Sequence, residues 1–318
     1  MFKLSEIEEA AALVHQYVPP TPQHRWPLLC RRTGCEVWVK HENHTTIGAF
    51  KLRGGITYLS DLRRRQPDVP GVITATRGNH GQSIASAAAI LGLKATIVVP
   101  EGNSVEKNAA MTAQGGNLVI HGHDFQAALE HARELAAADG LYMIESFEPA
   151  LVVGVASYSF ELFNKLPDLD TVYVPIGLGS GICGTMASRD ALDRKAKVVG
   201  VVAENAAAYA LSFAQGKPVS TNSADTFADG MACRVPVADA VALINAGAER
   251  IVTVTEEEIK SAVRAYYSDT HNLAEGAGAA PLAALIKEKD KMAGKKVGLV
   301  LSGGNIDREL YQQILAEG

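Results

Sequence analysis

Short runs of β-branched and other apolar residues alternate along the chain with longer stretches where alanine and leucine recur at helical spacing. The runs predict strands at Glu36–Lys40, Gly71–Ala75, Ala95–Pro100, Asn117–His121, Tyr142–Glu145, Thr171–Ile176, Lys197–Ala203, Arg250–Thr255 and Val297–Leu301. Helices are predicted at Gly81–Leu91, Asp124–Ala138, Glu148–Leu166, Thr255–Ser268 and Asp307–Ala316, among others. Gly92 supplies a left-handed stop for the first of these, and Thr255-Glu256-Glu257-Glu258 reads as a capping box. Apolar strands alternating with helices predict an α/β fold, with mostly parallel sheet covered on both faces. A smaller α/β lobe is expected near 46–147, inserted into a larger one made of 1–45 plus 148–318.

Glycine clusters fall at one kind of place. Thr76-Arg77-Gly78-Asn79-His80-Gly81, Gly177-Leu178-Gly179-Ser180-Gly181 and Ser302-Gly303-Gly304-Asn305 each follow a predicted strand. Ligands of open α/β sheets bind beyond the carboxyl ends of strands, so three such loops predict one cleft for a polar ligand.

The 318 residues suggest about two domains at roughly 150 residues each. With 30 Lys and Arg against 35 Asp and Glu, the net charge is −5, which speaks against a nucleic-acid partner. No apolar run approaches the roughly 18 residues of a membrane span, and the acidic start is neither signal nor transit peptide. The four cysteines are too scattered for a disulfide framework, and a cytoplasmic enzyme is expected.

Gly179-Ser180-Gly181-Ile182-Cys183-Gly184 has the G-x-G-x-x-G form, with Glu204 twenty residues beyond Gly184. That spacing suits a dinucleotide, and hence a nicotinamide-dependent oxidoreductase. It also suits a lone phosphate held by backbone amides at a helix N-terminus, or a tight turn with no ligand. Lys51 lies in Ala49-Phe50-Lys51-Leu52-Arg53-Gly54-Gly55, where Arg53 is the one nearby charge. Such surroundings can desolvate an amine, lower its pKa and suit it to Schiff-base chemistry.

Lys40-His41-Glu42-Asn43 followed by Gly48–Gly54 resembles the lysine motif of fold-type-II pyridoxal-phosphate enzymes, in the threonine dehydratase and serine racemase branch. Gly78-Asn79-His80-Gly81-Gln82 resembles its asparagine loop, and Gly177–Gly181 its phosphate loop. Thr226–Gly230, Glu275–Ala279 and Ser302–Asn305 continue the likeness in order. The resemblance spans essentially the whole chain. It implies a two-lobed fold like the tryptophan synthase β chain, bound pyridoxal 5′-phosphate, an amino acid substrate and a homodimer.

Carried over, Lys51 would hold the cofactor and act as the α-proton base. Phe50 would pack near its ring, and Asn79 would bond the ring's 3′-oxygen. Gly177, Leu178, Gly179, Ser180 and Gly181 would bind the phosphate, and Ser302 would face the pyridine nitrogen. Thr76, Arg77, Gly78, Asn79 and His80 would hold the substrate. A neutral serine at the ring nitrogen disfavours a long-lived carbanion and favours β-elimination. The implied reaction is dehydration of a β-hydroxy amino acid to a 2-oxo acid and ammonia. Threonine and serine lead as substrates, ahead of 3-hydroxyaspartate and phenylserine.

Departures refine that picture. Leu178 and Ser180 interrupt the glycine run, and Ile47 and Ala49 replace polar residues. Arg77 stands where the racemases place a serine base; a guanidinium stays protonated, so racemisation is disfavoured. Arg77 either meets an anionic substrate side chain or pairs with a neighbouring acid. Six residues after Glu204 comes Ala210 rather than a second acid, and no metal is expected. His121, His123 and His131 lack a fourth ligand, and Cys183 reads as a packing residue. With the chain ending at Gly318, no regulatory domain and no isoleucine feedback are expected.

Overall fold

The computed structural model describes residues 2–317. The chain opens with α1 (Leu4–Val14), β1 (Gln23–Arg25), α2 (Pro27–Thr33) and β2 (Glu36–His41). There follow α3 (Lys51–Arg65), β3 (Val72–Ala75), α4 (Asn79–Ile90), β4 (Ala95–Val99), α5 (Val105–Ala113), β5 (Asn117–Ile120), α6 (Phe125–Asp139) and β6 (Tyr142–Met143). The next stretch holds α7 (Pro149–Lys165), β7 (Thr171–Pro175), α8 (Ser180–Ala191), β8 (Lys197–Ala203), α9 (Ala208–Gln215) and α10 (Ala238–Gly247). The last elements are β9 (Arg250–Val254), α11 (Glu256–Thr270), α12 (Gly276–Lys287), α13 (Lys289–Met292), β10 (Lys296–Leu301) and α14 (Arg308–Ala316).

Two sheets result. One has six strands in the order β1-β2-β10-β7-β8-β9, all parallel except β1, which pairs antiparallel with β2. The other has four parallel strands in the order β5-β4-β3-β6. All nine predicted strands are present. Tyr142–Glu145 shortens to two residues, because only Tyr142 and Met143 find partners on β3.

Alternate residues of the larger sheet enter separate cores. Tyr173, Val199, Val201, Val297 and Leu299 pack with Ala262, Tyr266 and Leu282 of α11 and α12. Val172, Val174, Val198, Val202 and Val300 pack with Val155, Tyr158 and Ile182 of α7 and α8. Double burial explains why these strands read as continuous apolar runs. The smaller sheet repeats the plan, with Val72, Ile97 and Val99 on the α3/α4 side and Ile73, Ala75 and Val98 on the α6 side. Gly92, at φ +67°, lies just past the end of α4. The Thr255 hydroxyl accepts from Glu258 N at 3.1 Å while the Glu258 carboxylate accepts from Thr255 N at 2.8 Å.

Helices α3 and α7 touch backbone to backbone. A Cβ on Gly54 would lie 2.7 Å from the Leu151 carbonyl, and one on Gly154 would lie 2.5 Å from the Arg53 carbonyl. Beside this contact Arg53 is fully enclosed, donating to Glu42 Oε2 at 2.7 Å and Glu161 Oε1 at 2.6 Å. Lys40, also fully enclosed, pairs with Glu161 as well. Buried charges persist only when paired and hydrogen-bonded, so this cluster fixes β2, α3 and α7 in one arrangement. Among the described residues no helix is long and apolar enough to cross a membrane.

Candidate active site

The three glycine-bearing loops converge at the start of α3. Lys51 is the first residue of that helix, and Phe50 N donates to the Ser302 carbonyl at 3.1 Å. Ala49 bridges to Gly303, bringing the segment before α3 against the loop after β10. From the other side, Ser83 of α4 donates its hydroxyl to the Lys51 carbonyl at 2.6 Å.

Lys51 Nζ donates to Ser180 Oγ at 3.1 Å and lies 4.9 Å from the centre of the Phe50 ring. No carboxylate pairs with it among the described residues. Burial lowers its pKa from 10.5 to about 8, only partly opposed by attraction to Glu275. Near neutral pH roughly one amine in ten is then free, against roughly one in two thousand for an ordinary lysine. A nucleophile and proton carrier needs that poise.

Ser180 opens α8 just after Gly179, whose φ of +102° is the left-handed turn that aims the helix N-terminus at Lys51. Leu178 avoids the left-handed region, as a residue with a Cβ must. Its carbonyl accepts from Tyr209 Oη at 2.9 Å, anchoring the loop from behind. A helix leaves its first-turn amides without internal partners, so Ser180 and Gly181 offer donors to an anion here. Phe50 stacks edge-on against Tyr158 at 5.9 Å, and the Tyr158 hydroxyl donates to the Gly181 carbonyl at 2.9 Å.

On the opposite wall, Thr76 Oγ1 accepts from Gly78 N at 3.0 Å and Gly81 N at 3.2 Å, curling the loop into α4. Asn79 donates to Glu275 Oε1 at 2.8 Å and accepts from Asn305 Nδ2 at 2.7 Å. The His80 ring is held neutral, with its pKa lowered to about 3 by burial and by Lys51. His80 Nε2 and Glu275 Oε2 are both enclosed without a hydrogen-bond partner among the described residues. Ser302 is buried at the end of β10. Arg77 is exposed and forms no ion pair among the described residues, so the expected alternative of a neighbouring acid is not what the structure holds.

Several of these residues escaped prediction. Lys107 of α5 pairs with Asp229 and lies over Gly78, where a Cβ would sit 2.7 Å from Lys107 Cδ. Only the proximity of three-dimensional neighbours reveals this, because 122 residues separate the pair. Asn305 closes the Ser302–Asn305 motif and Glu275 opens the Glu275–Ala279 motif, neither with a role assigned from the sequence. His121 and His131 stack at 3.8 Å on the surface, and Glu204 is exposed. Cys183 is fully enclosed, and burial pushes its thiol up to about 12, which suits packing.

These residues fit the cofactor that the resemblance implies. A poised amine, a helix start carrying a hydroxyl and free first-turn amides, and the buried His80 Nε2, unpartnered among the described residues, meet at one narrow cavity also lined by Gly54, Leu151 and Val155. Comparison with known proteins agrees. Residues 14–303 match the family of pyridoxal-phosphate dependent enzymes. An L-threonine ammonia-lyase of Thermotoga maritima is 33% identical over 322 residues, covering 100% of this chain and 79% of the relative. An L-threo-3-hydroxyaspartate ammonia-lyase of Saccharomyces cerevisiae is 30% identical over 315 residues, covering 98% and 95%. The processed form of threonine deaminase isoform 2 from Solanum lycopersicum superposes with a TM-score of 0.91 at 29% identity, covering 99% and 94%. With the glycine loop accounted for in this way, the dinucleotide alternative loses its support, and the chain belongs to the pyridoxal-phosphate dependent enzyme family.

Proposed function

We propose that the protein is a pyridoxal-phosphate-dependent ammonia-lyase that dehydrates a β-hydroxy amino acid, with L-threonine and L-serine its leading substrates. The products are a 2-oxo acid and ammonia; the water lost in elimination is regained in hydrolysis. The observation that carries this is the Lys51 amine, with its pKa lowered to about 8, held 3.1 Å from Ser180 at the start of α8.

When bound, the cofactor supplies the electron sink that makes the substrate α-proton acidic. Lys51 Nζ is the base that takes that proton. Amides at the start of α8, with the Ser180 hydroxyl, would hold the phosphate, and Thr76 to His80 would receive the substrate carboxylate. Ser302 would offer the ring nitrogen a neutral hydroxyl, which favours prompt loss of a β-leaving group over transamination. The names of the similar ammonia-lyases support the same reaction class. The four-stranded sheet would be the heart of a small lobe spanning 46–147, with the remainder forming the large one. A cytoplasmic homodimer is the further expectation, resting on the family resemblance.

Arg77 favours a second substrate, 3-hydroxyaspartate, because an exposed guanidinium with no ion partner among the described residues stands on the loop assigned to the substrate. The same residue disfavours racemisation, since a guanidinium cannot serve as a base. Incubation with threonine, serine, 3-hydroxyaspartate and phenylserine, with ammonia and 2-oxo acid measured, tests the proposal. Release from at least one of them, abolished by Lys51→Ala, is expected; no release from any overturns it.

A further inference from the structure

The Asn79 amide is oriented by groups from three distant parts of the chain. Asn305 Nδ2 donates to the Ile47 carbonyl at 2.8 Å and to Asn79 Oδ1 at 2.7 Å. Asn79 Nδ2 in turn donates to Glu275 Oε1 at 2.8 Å. A primary amide has two N–H donors on one side and an acceptor oxygen on the other. Both donors of Asn305 are engaged, so its nitrogen has to face Ile47 and Asn79. That places the Asn79 oxygen toward Asn305 and its nitrogen toward Glu275, and one N–H of Asn79 is left over.

We propose that Asn305 and Glu275 are positioning residues that lock the Asn79 amide so that it presents a donor, and not an acceptor, to the cofactor's ring oxygen. This rests on the cofactor role proposed for Asn79. The surroundings of Glu275 bear it out. Its side chain is 3% exposed, closely framed by Gly303, and faces Lys107 from α5, Asp229 from the turn at Asp229–Met231 and Lys51 across the cleft. Burial pushes its carboxyl up to about 7, with Lys107 opposing and Asp229 reinforcing the rise. Protonated or ionised, it keeps an oxygen that accepts from Asn79, so its acceptor capacity rather than its charge sets the orientation.

Visible-absorbance titration of the apoprotein with pyridoxal 5′-phosphate tests this, with denaturation midpoints of each apoprotein measured alongside. Asn305→Asp sets an acceptor oxygen against Asn79 Oδ1 and is expected to weaken cofactor binding about tenfold or more. Asn305→Ala removes the donor without adding repulsion and should weaken it less. Glu275→Gln keeps an acceptor carbonyl and should retain tighter binding than Glu275→Leu. A merely structural role would instead lower the denaturation midpoints and leave these pairs unranked. Wild-type affinity in Asn305→Asp overturns the inference, and so does equal loss in Glu275→Gln and Glu275→Leu. If Asn305→Asp does not fold, the Glu275 pair decides. A wild-type apoprotein that takes up no cofactor overturns the proposed cofactor role itself, a result distinct from normal uptake with indifferent variants.

Discussion

Lys51 Nζ and Ser180 Oγ meet at 3.1 Å across 129 residues of chain. The first residue of α3 thereby faces the first residue of α8, so one helix start carries the amine and the other its free first-turn amides. Neither helix alone makes a site. Among the described residues no carboxylate bonds the amine, which makes its charge a burden on the folded apoprotein.

That burden is measurable. Unfolded, the amine titrates near 10.5; folded, its pKa is lowered to about 8. Below about pH 8 both states hold the proton, and the folded state bears the full penalty of about 3 kcal/mol. The penalty fades as pH rises from 8 toward 10.5. Lys51→Met is therefore expected to raise apoprotein stability at pH 7 by about 2–3 kcal/mol, and much less at pH 10, in urea denaturation. Ammonia release by the same variant should fall at least about a thousandfold.

Gly179→Ala should damage the turn that opens α8, where the proposed function places the cofactor phosphate. The backbone there has φ +102°, and the added Cβ would lie 2.9 Å from the Ala240 Cβ. A loss of about 1–3 kcal/mol in stability is expected, with weaker cofactor uptake in an absorbance titration.

Arg77→Ala separates the substrates. Loss of a two-point contact to a distal carboxylate should lower kcat/KM for 3-hydroxyaspartate about tenfold or more and leave threonine within about threefold. Unchanged values for every substrate would remove Arg77 from recognition.

Glu161→Leu leaves Lys40 and Arg53 enclosed with one carboxylate between them. Breaking a buried ion cluster in this way costs about 3–5 kcal/mol, visible as a lower urea midpoint. Replacing Glu134, which is exposed and only 3.3 Å from His131, should stay within about 0.5 kcal/mol.

The larger elements were legible because their cause is local. Strands such as Lys197–Ala203 are apolar on both faces, and the lysine, asparagine and phosphate loops are contiguous motifs. What escaped is set by distant partners. β1, with only Gln23, His24 and Arg25, carries no apolar signal and exists through backbone pairing with Trp38, Val39 and Lys40. Arg53 was visible as a charge near Lys51, but its enclosure depends on Glu161, 108 residues away. The contacts of Asn79 span 196 residues to Glu275 and 226 to Asn305, beyond the reach of any spacing rule.

The position of β10 between β2 and β7 bears on biosynthesis. All four strands of the smaller sheet have left the ribosome once residue 143 is clear, so that sheet can assemble while translation continues. The larger sheet keeps a gap at its centre until residues 296–301 emerge, and Ser302 and Asn305 come later still. A nascent polypeptide therefore carries Lys51 long before the segment 296–305 that completes the sheet beside it.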